Sequence, residues 1–417
     1  MKSSQVLKKV LEEIKPTEKE KKETDDKIKE FLKKLNTGLK NAKAVLYGSG
    51  AKGTWLKGGF DADIFVKYDY KKYSEKSDSL SDLLEKQLKK KFKNFERLHG
   101  SRDYFRIEQE KFMFEIIPIL DIKKSVQAKN ITDISPLHAS WVKSKVNNKL
   151  VDEIRLVKKF CKAQKVYGAE SYIRGFSGYV TEILTINYGG FDKLLRAATK
   201  WKEKQVIDIK KYHKNALMDM NKSKTVSPLI VVDPVDKERN AAASLTLEKF
   251  EYFKRVCAEY IKKPGVEFFE EKEITEEDIR KKAGKNKLVL AYATPVNGKD
   301  DVVGAKLLKA YEYMAEKLSD YEFKIYDKGW NWNKEKKAIY WFVVDNKDLD
   351  VYEKRIGPSL EMKMHVEKFK QKHGKTFEEK GRICANVKRE YIKAEEFLKE
   401  LVKEEWFKNN TKQIIIK

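Results

Sequence analysis

Gly48-Ser-Gly-Ala-Lys-Gly-Thr-Trp-Leu-Lys-Gly-Gly-Phe-Asp-Ala-Asp-Ile-Phe65 carries two competing signals for the handling of phosphate. Its first half, Gly48 to Gly53, satisfies the G-x-G-x-x-G dinucleotide fingerprint and comes close to a P-loop. Its second half sets Asp61 and Asp63 two residues apart. The dinucleotide reading needs a crossover helix long enough to reach a parallel strand. Only seven residues separate Gly53 from Asp61, and Gly58 and Gly59 are two of them. A P-loop requires Lys after its last Gly, whereas Thr54 follows Gly53.

The carboxylates read differently. On an extended strand Asp61 and Asp63 point to one side, while Ala62, Ile64 and Val66 face the other. Two neighbouring carboxylates repel unless a cation lies between them, and Mg²⁺ prefers carboxylate and phosphate oxygen. A bare D-x-D on an exposed strand edge reads equally well as two solvated side chains. Here a further carboxylate, Glu115, lies in the apolar run Phe112-Met-Phe-Glu-Ile-Ile117, where an unpaired charge is expensive.

Working outward, apolar residues at helical spacing (Val6, Val10, Ile14, then Ile28, Phe31, Leu35) predict two helices parted by Pro16. Strands are expected at 44–47 and 61–67, a helix at 80–93, and a strand hairpin from 104–107 and 112–117. Together these give a mixed sheet with flanking helices. From Pro136 the pattern is helical, at 137–145, 150–164, 175–188, 191–204 and 246–262, interrupted by Val231-Val-Asp-Pro-Val-Asp236. After Pro264-Gly265, strands at 288–293, 321–326 and 338–344 with a helix at 302–318 give a β-α-β-β order, as in ferredoxin-like or RNA-recognition sheets. A Lys-rich helical part follows Gly357-Pro358.

The 417 residues carry a net charge of +25, with 78 Lys among 90 basic residues, which points to a polyanionic partner. Any single Lys-rich run reads equally as a solvated helix face. Cys161, Cys257 and Cys384 are far apart and show no C-x-x-C spacing, against a disulfide framework or a zinc site. No apolar run is long enough to span a membrane and the first 24 residues lack an apolar signal core, so a cytoplasmic protein with no membrane partner is expected.

The Gly-Ser turn, the D-x-D strand and the third carboxylate resemble the nucleotidyltransferase superfamily related to DNA polymerase β. Further strings are similar to the archaeal, class I CCA-adding enzymes: Thr54-Trp-Leu-Lys-Gly58, Pro136-Leu-His138, Tyr167-Gly-Ala-Glu170, Arg174-Gly-Phe-Ser-Gly-Tyr179, Val232-Asp-Pro-Val-Asp236 and Arg239-Asn-Ala-Ala-Ala243. They run in order over about residues 40–260, with weaker support from Gly357-Pro358 and Gly381-Arg-Ile-Cys-Ala385. The resemblance implies an α+β fold: a polymerase β-like head (1–135), a helical neck (136–263), and a ferredoxin-like or RNA-recognition-like body with an α/β tail (264–417). It implies template-independent addition of the 3′-terminal CCA of tRNA from CTP and ATP, with two Mg²⁺ ions and release of pyrophosphate.

By the same resemblance Asp61, Asp63 and Glu115 are the catalytic, metal-binding residues. Ser49, Lys52, His138, Lys158 and Tyr167 meet the ribose or triphosphate, Arg239 lies near the base, and Arg174 supports the neck. The acceptor and TΨC arms of tRNA and a homodimer are implied as well. Lys52 stands where the family pattern has Arg, Glu115 where Asp is usual, and Gly50 where a side chain is expected. From the residues alone, His138 reads also as a helix-start histidine, Lys158 and Lys159 as surface charges, and Tyr167 as core. Alternation favours the core for Tyr321, Phe323 and Ile325 and for Ile339, Trp341 and Val343, and leaves Trp330 and Trp332 open between packing and base stacking. Competing functions are a poly(A)- or oligo(A)-type polymerase, a non-catalytic RNA-binding protein with a degenerate head, and, more remotely, a dinucleotide-binding oxidoreductase.

Overall fold

The computed structural model of the chain describes residues 2–110 and 112–417. Met1–Lys272 makes one compact unit and Glu273–Lys417 a second. The division expected at 135/136 falls inside the first unit, and that at 263/264 shortly before its end.

In the first unit Pro16 parts α1 (Ser3–Ile14) from α2 (Glu18–Asn36). Thr17 starts α2 with a capping box: its hydroxyl accepts from the Glu20 amide, and the Glu20 carboxylate accepts from the Thr17 amide. The two apolar stripes go to different cores. Val6, Val10 and Ile14 pack with the later helices, whereas Phe31 and Leu35 pack on the first sheet.

That sheet is built from β1 (Ala42–Leu46), β2 (Asp61–Tyr68), β3 (Glu96–Leu98), β4 (Tyr104–Gln109) and β5 (Phe112–Leu120). Between its strands lie the short helices α3 (Gly48–Lys52) and α4 (Tyr70–Tyr73), then α5 (Leu80–Leu88). The strand order is β1-β2-β5-β4-β3, with β2 and β5 parallel and every other pair antiparallel. The strands flanking the glycines are therefore antiparallel neighbours, which rules out the parallel crossover of a dinucleotide-binding unit. The helix expected to reach residue 93 stops at Leu88, because the chain turns to bring Phe92 into the core, stacked on Phe31 at 5.1 Å.

The remainder of the unit contains α6 (Ser135–Lys145), α7 (Asn148–Ala163), α8 (Gly178–Tyr188), α9 (Phe191–Ala198), β6 (Gln205–Ile207), α10 (Ala216–Asp219), β7 (Leu229–Asp233), β8 (Asp236–Asn240) and α11 (Leu247–Lys262). Two expected helices are shorter than predicted. Ser177 caps α8 through the Val180 amide, so the helix begins at Gly178 instead of residue 175. The helix predicted over 191–204 ends at Ala198, where Trp201 folds in to stack on Phe250 at 5.9 Å, and the chain continues as β6. The strands form a small sheet ordered β6-β7-β8.

The second unit comprises α12 (Glu276–Ala283), β9 (Lys287–Pro295), α13 (Asp300–Asp320), β10 (Ile325–Asn331), β11 (Ala338–Val344), β12 (Tyr352–Ser359), α14 (Lys363–His373), β13 (Thr376–Glu379), β14 (Arg382–Lys388), α15 (Ala394–Leu401), α16 (Glu405–Lys408) and β15 (Thr411–Ile416). The order β10-β11-β9-β15, antiparallel throughout, is that of a ferredoxin-like βαββαβ sheet. Into it, between β11 and α15, is inserted a second sheet, β12-β14-β13, together with α14. The strand predicted at 321–326 lies later, because Tyr321 caps α13 and Phe323 packs beside Phe397 before pairing begins. β11 is covered on both faces: Phe342 stacks on Tyr311 of α13, and Trp341 packs with Ile279 of α12. Trp330 is partly buried beside Tyr311, and Trp332 donates its indole N–H to the Glu335 carbonyl. Among the described residues no helix is long and apolar enough to cross a membrane, and the three cysteines are free and buried.

Candidate active site

The parallel pairing of β2 with β5 sets Asp63 directly opposite Glu115. Asp61 precedes Asp63 on the same face, at the exposed start of the strand. Burial, then Glu115, with a smaller push from Asp61, raises the Asp63 carboxyl to about 6, against the pull of Lys52 and Lys158. On its other side Glu115 pairs with Arg106 of β4, whose Nη2 donates to Oε1 at 3.1 Å. Among the described residues no three His, Cys, Asp or Glu side chains converge closely enough to hold an ion as they stand. The donor set nevertheless fits a hard divalent cation: it offers only carboxylate oxygens, and their mutual repulsion already disfavours ionisation of Asp63.

The glycine-rich turn is shaped around these acids. Gly48 sits at φ +60°, and Gly53 at φ +68° ends α3 in the left-handed conformation. The departure at Gly50 has a local reason: a Cβ there would come within 2.9 Å of the Phe60 ring, which packs against Trp55. The Ser49 hydroxyl makes no hydrogen bond among the described residues, while the Ser49 carbonyl accepts from the Thr54 amide. Arg155 of α7 ties the turn down through the Trp55 and Gly53 carbonyls.

Lys52 and Lys158 come together on a residue that sequence reasoning passes over. Glu182 of α8 is fully buried and accepts from Lys52 Nζ at 2.7 Å and Lys158 Nζ at 2.9 Å. Thr54 Oγ1 lies between them, accepting from Lys158 at 2.9 Å and donating to Glu182 at 3.2 Å. Burial works to raise the Glu182 carboxyl, yet Lys158 and Lys52 outweigh it and hold the group below the ordinary carboxylate range. Burial and, less strongly, Lys158 push the Lys52 ammonium down. Lys158 is thus a buried group, not a surface charge. One turn further along α7, Lys162 sets its ammonium 5.4 Å from the centre of the Tyr167 ring, and burial pushes the Tyr167 phenol up.

A second cluster forms on Asp233, at the end of β7 in the Asp-Pro-Val-Asp string. This fully buried carboxylate pairs with His138 Nε2 at 2.9 Å and accepts from Tyr179 Oη at 3.0 Å, Arg239 Nη1 at 2.7 Å and the Val235 amide at 3.0 Å. His138 also stacks on Tyr179 at 4.1 Å. A cavity of about 520 Å³ opens beside Arg239, lined also by Ser177, Asn240 and Ser244. Arg174 stands elsewhere, at φ +57°, with Nε on the Ser171 carbonyl. A larger cavity, about 1000 Å³, lies along β3 and β4, with Arg106 and Met113 in its lining.

Residues 152–270 match the second domain of tRNA nucleotidyltransferase and residues 283–414 the C-terminal domain of CCA-adding enzyme. Residues 1–151 match the second messenger oligonucleotide or dinucleotide synthetase domain. The chain is 35% identical to the CCA-adding enzyme of Nanoarchaeum equitans over 82% of this chain and 83% of that protein. Identity to the Methanosarcina acetivorans CCA-adding enzyme is 32%, over 87% and 80%. It is 31% to that of Methanocaldococcus jannaschii, over 95% and 90%. Among solved structures, the RNA terminal uridylyl transferase Cid1 superposes with a TM-score of 0.51 at 14% identity, over 66% of this chain and 98% of that one, a likeness of fold.

Proposed function

The chain belongs to the CCA-adding enzymes, nucleotidyltransferases that extend tRNA with nucleoside triphosphates and a divalent metal without a template, and we propose that it builds or repairs the 3′-terminal CCA from CTP and ATP at the face shared by Asp61, Asp63 and Glu115. The observation that carries this reading is the register of Asp63 against Glu115, with Asp61 at the open end of the same strand. These three carboxylates would hold two Mg²⁺ ions. Bound there, the metal neutralises charge on the triphosphate and favours ionisation of the attacking 3′-hydroxyl.

The chain's own residues position the reactants. Ser49 meets phosphate oxygens from the turn that Gly48 opens. Lys158 keeps one ammonium hydrogen beyond its bonds to Thr54 and Glu182, and Lys52 keeps two beyond its bond to Glu182, which they present to the triphosphate. Tyr167 packs by the same group. His138 and Arg239, both ordered by Asp233, take the ribose and the base edge, and Arg174 supports the loop between α7 and α8. Residues 1–135 serve as catalytic head and 136–263 as nucleotide-binding neck. On family resemblance alone, residues 264–417 grip the acceptor and TΨC arms of tRNA, and the enzyme works as a cytoplasmic homodimer.

The test uses tRNA transcripts ending before CCA, after C and after CC, each offered CTP or ATP with Mg²⁺. CTP should be added to the first two and ATP to the third. Unlimited ATP extension that ignores CTP would replace this reading with a poly(A)-type polymerase. Binding of tRNA without incorporation would make the protein a non-catalytic RNA binder.

A further inference from the structure

Three segments distant in sequence meet on one carboxylate: the glycine-rich turn through Lys52 and Thr54, α7 through Lys158, and α8 through Glu182 itself. Glu182 has no accessible surface, and Lys158 and Thr54 are buried as well. The two lysines keep what little exposure there is, 11% of the Lys52 side chain and 5% of the Lys158 side chain. A carboxylate so placed is costly unless each oxygen is matched by a donor. Both are matched here, Oε2 by Lys52 and Oε1 by Lys158 and Thr54. The arrangement fixes two flexible side chains, each otherwise free over many rotamers, before any ligand arrives.

We infer that Glu182 is a positioning residue of the nucleotide site, holding Lys52 and Lys158 in one geometry so that their remaining ammonium hydrogens face the triphosphate. This rests on the proposed roles of Lys52 and Lys158. A single ammonium hydrogen of Lys52 satisfies Glu182 Oε2 and leaves two for phosphate. Because the triphosphate is common to CTP and ATP, Glu182 acts on both nucleotides alike and not on the choice between them.

The test is steady-state incorporation by Glu182→Gln, which keeps the shape and removes the charge, with CTP on tRNA ending before CCA and ATP on tRNA ending in CC. KM for both nucleotides should rise at least tenfold, with kcat within threefold of wild type and KM for tRNA unchanged. Loss of stability alone would lower the active fraction and the apparent kcat without moving KM. In a cycle with Lys52→Met the two effects on KM should be less than additive, since part of the Glu182 effect is exerted through the Lys52 ammonium. An unchanged KM, a rise for one nucleotide only, or full additivity overturns the inference. Should Glu182→Gln not fold, Thr54→Val removes the hydroxyl shared by Lys158 and Glu182 without changing charge. The same joint rise in KM is then expected, and its absence overturns the inference. Incorporation by the wild-type protein keeps these outcomes separate from failure of the functional reading, which would show as no addition of CTP or ATP at all.

Discussion

A Cβ placed on Gly48 would lie 1.7 Å from Oδ2 of Asp63. Gly48 also holds φ +60°, a conformation that costs a side-chain-bearing residue about 1 kcal/mol. Gly48→Ala must therefore displace either the turn or the carboxylate. Incorporation of CTP should fall by roughly 100-fold or more, the usual consequence of moving a reacting group by about an ångström. Urea unfolding should register a loss of about 1–3 kcal/mol. Activity within a few-fold of wild type would show that Asp63 need not stay where it is.

Asp63 is a carboxyl held at a disadvantage in the folded protein. Its value rises from 3.8 to about 6 through burial, then Glu115, with Asp61 adding to both. Between those values the folded state keeps a proton that the unfolded chain has released, so stability falls as pH rises through this window and stays lower above it. Asp63→Asn removes that penalty. Without divalent cations the variant should be more stable than wild type at pH 8, by something on the order of 2–3 kcal/mol. The difference should fade below about pH 4, and incorporation should be lost at every pH. Equal stability of the two proteins at pH 8 would sink the argument.

The carboxylates are legible in the sequence because a strand alternates with period 2. Asp61, Asp63 and Glu115 are polar positions in apolar runs, and that much survives without coordinates. The glycine fingerprint misleads, and what corrects it locally is the short span from Thr54 to Phe60. The antiparallel pairing of β1 with β2 then settles the matter. Glu182 is not legible. In Gly-Tyr-Val-Thr-Glu-Ile-Leu-Thr it is one polar residue on a helix, and its burial arises from packing against a turn 130 residues earlier. Asp233 lies in a string that marks the family, yet only the fold brings His138, Tyr179 and Arg239 onto it. Helix ends at Leu88 and Ala198 escape prediction for a related reason, since Phe92 and Trp201 are drawn inward by rings far along the chain.

Burial works to raise the Asp233 carboxyl, but His138, the Val235 amide and Arg239 together hold it below the ordinary range. A depressed carboxyl contributes stability in full above its unfolded value of 3.8 and loses it as pH falls through the folded one. Asp233→Ala, which leaves Arg239 and His138 without their partner, should cost about 3–5 kcal/mol at pH 7. Asp233→Asn keeps the volume and should cost less, with the gap to wild type closing below about pH 4. Since Asp233 orders both His138 and Arg239, Asp233→Asn should also raise KM for CTP and ATP about tenfold. Thermal unfolding across pH, together with incorporation kinetics, tests both halves. A stability gap that widens in acid would reverse the sign argued here.

Arg106 is the cation that already occupies Glu115. It stands opposite Glu115 in the β4–β5 pairing and donates to Oε1 at 3.1 Å, with the two side chains 37% and 28% exposed. A pair this exposed is worth about 0.2–1 kcal/mol. A divalent ion using Glu115 must compete with it, so Arg106→Ala should free the carboxylate and lower the Mg²⁺ concentration for half-maximal incorporation about two- to fivefold, the upper part of that range expressed as a ratio. Unfolding free energy should change by less than about 1 kcal/mol, because the guanidinium remains in contact with water. Mn²⁺ binding followed without tRNA should tighten by the same factor, which separates an effect on the ion from one on the RNA. A higher Mg²⁺ requirement in Arg106→Ala would mean that Arg106 supports the bound state instead of opposing it.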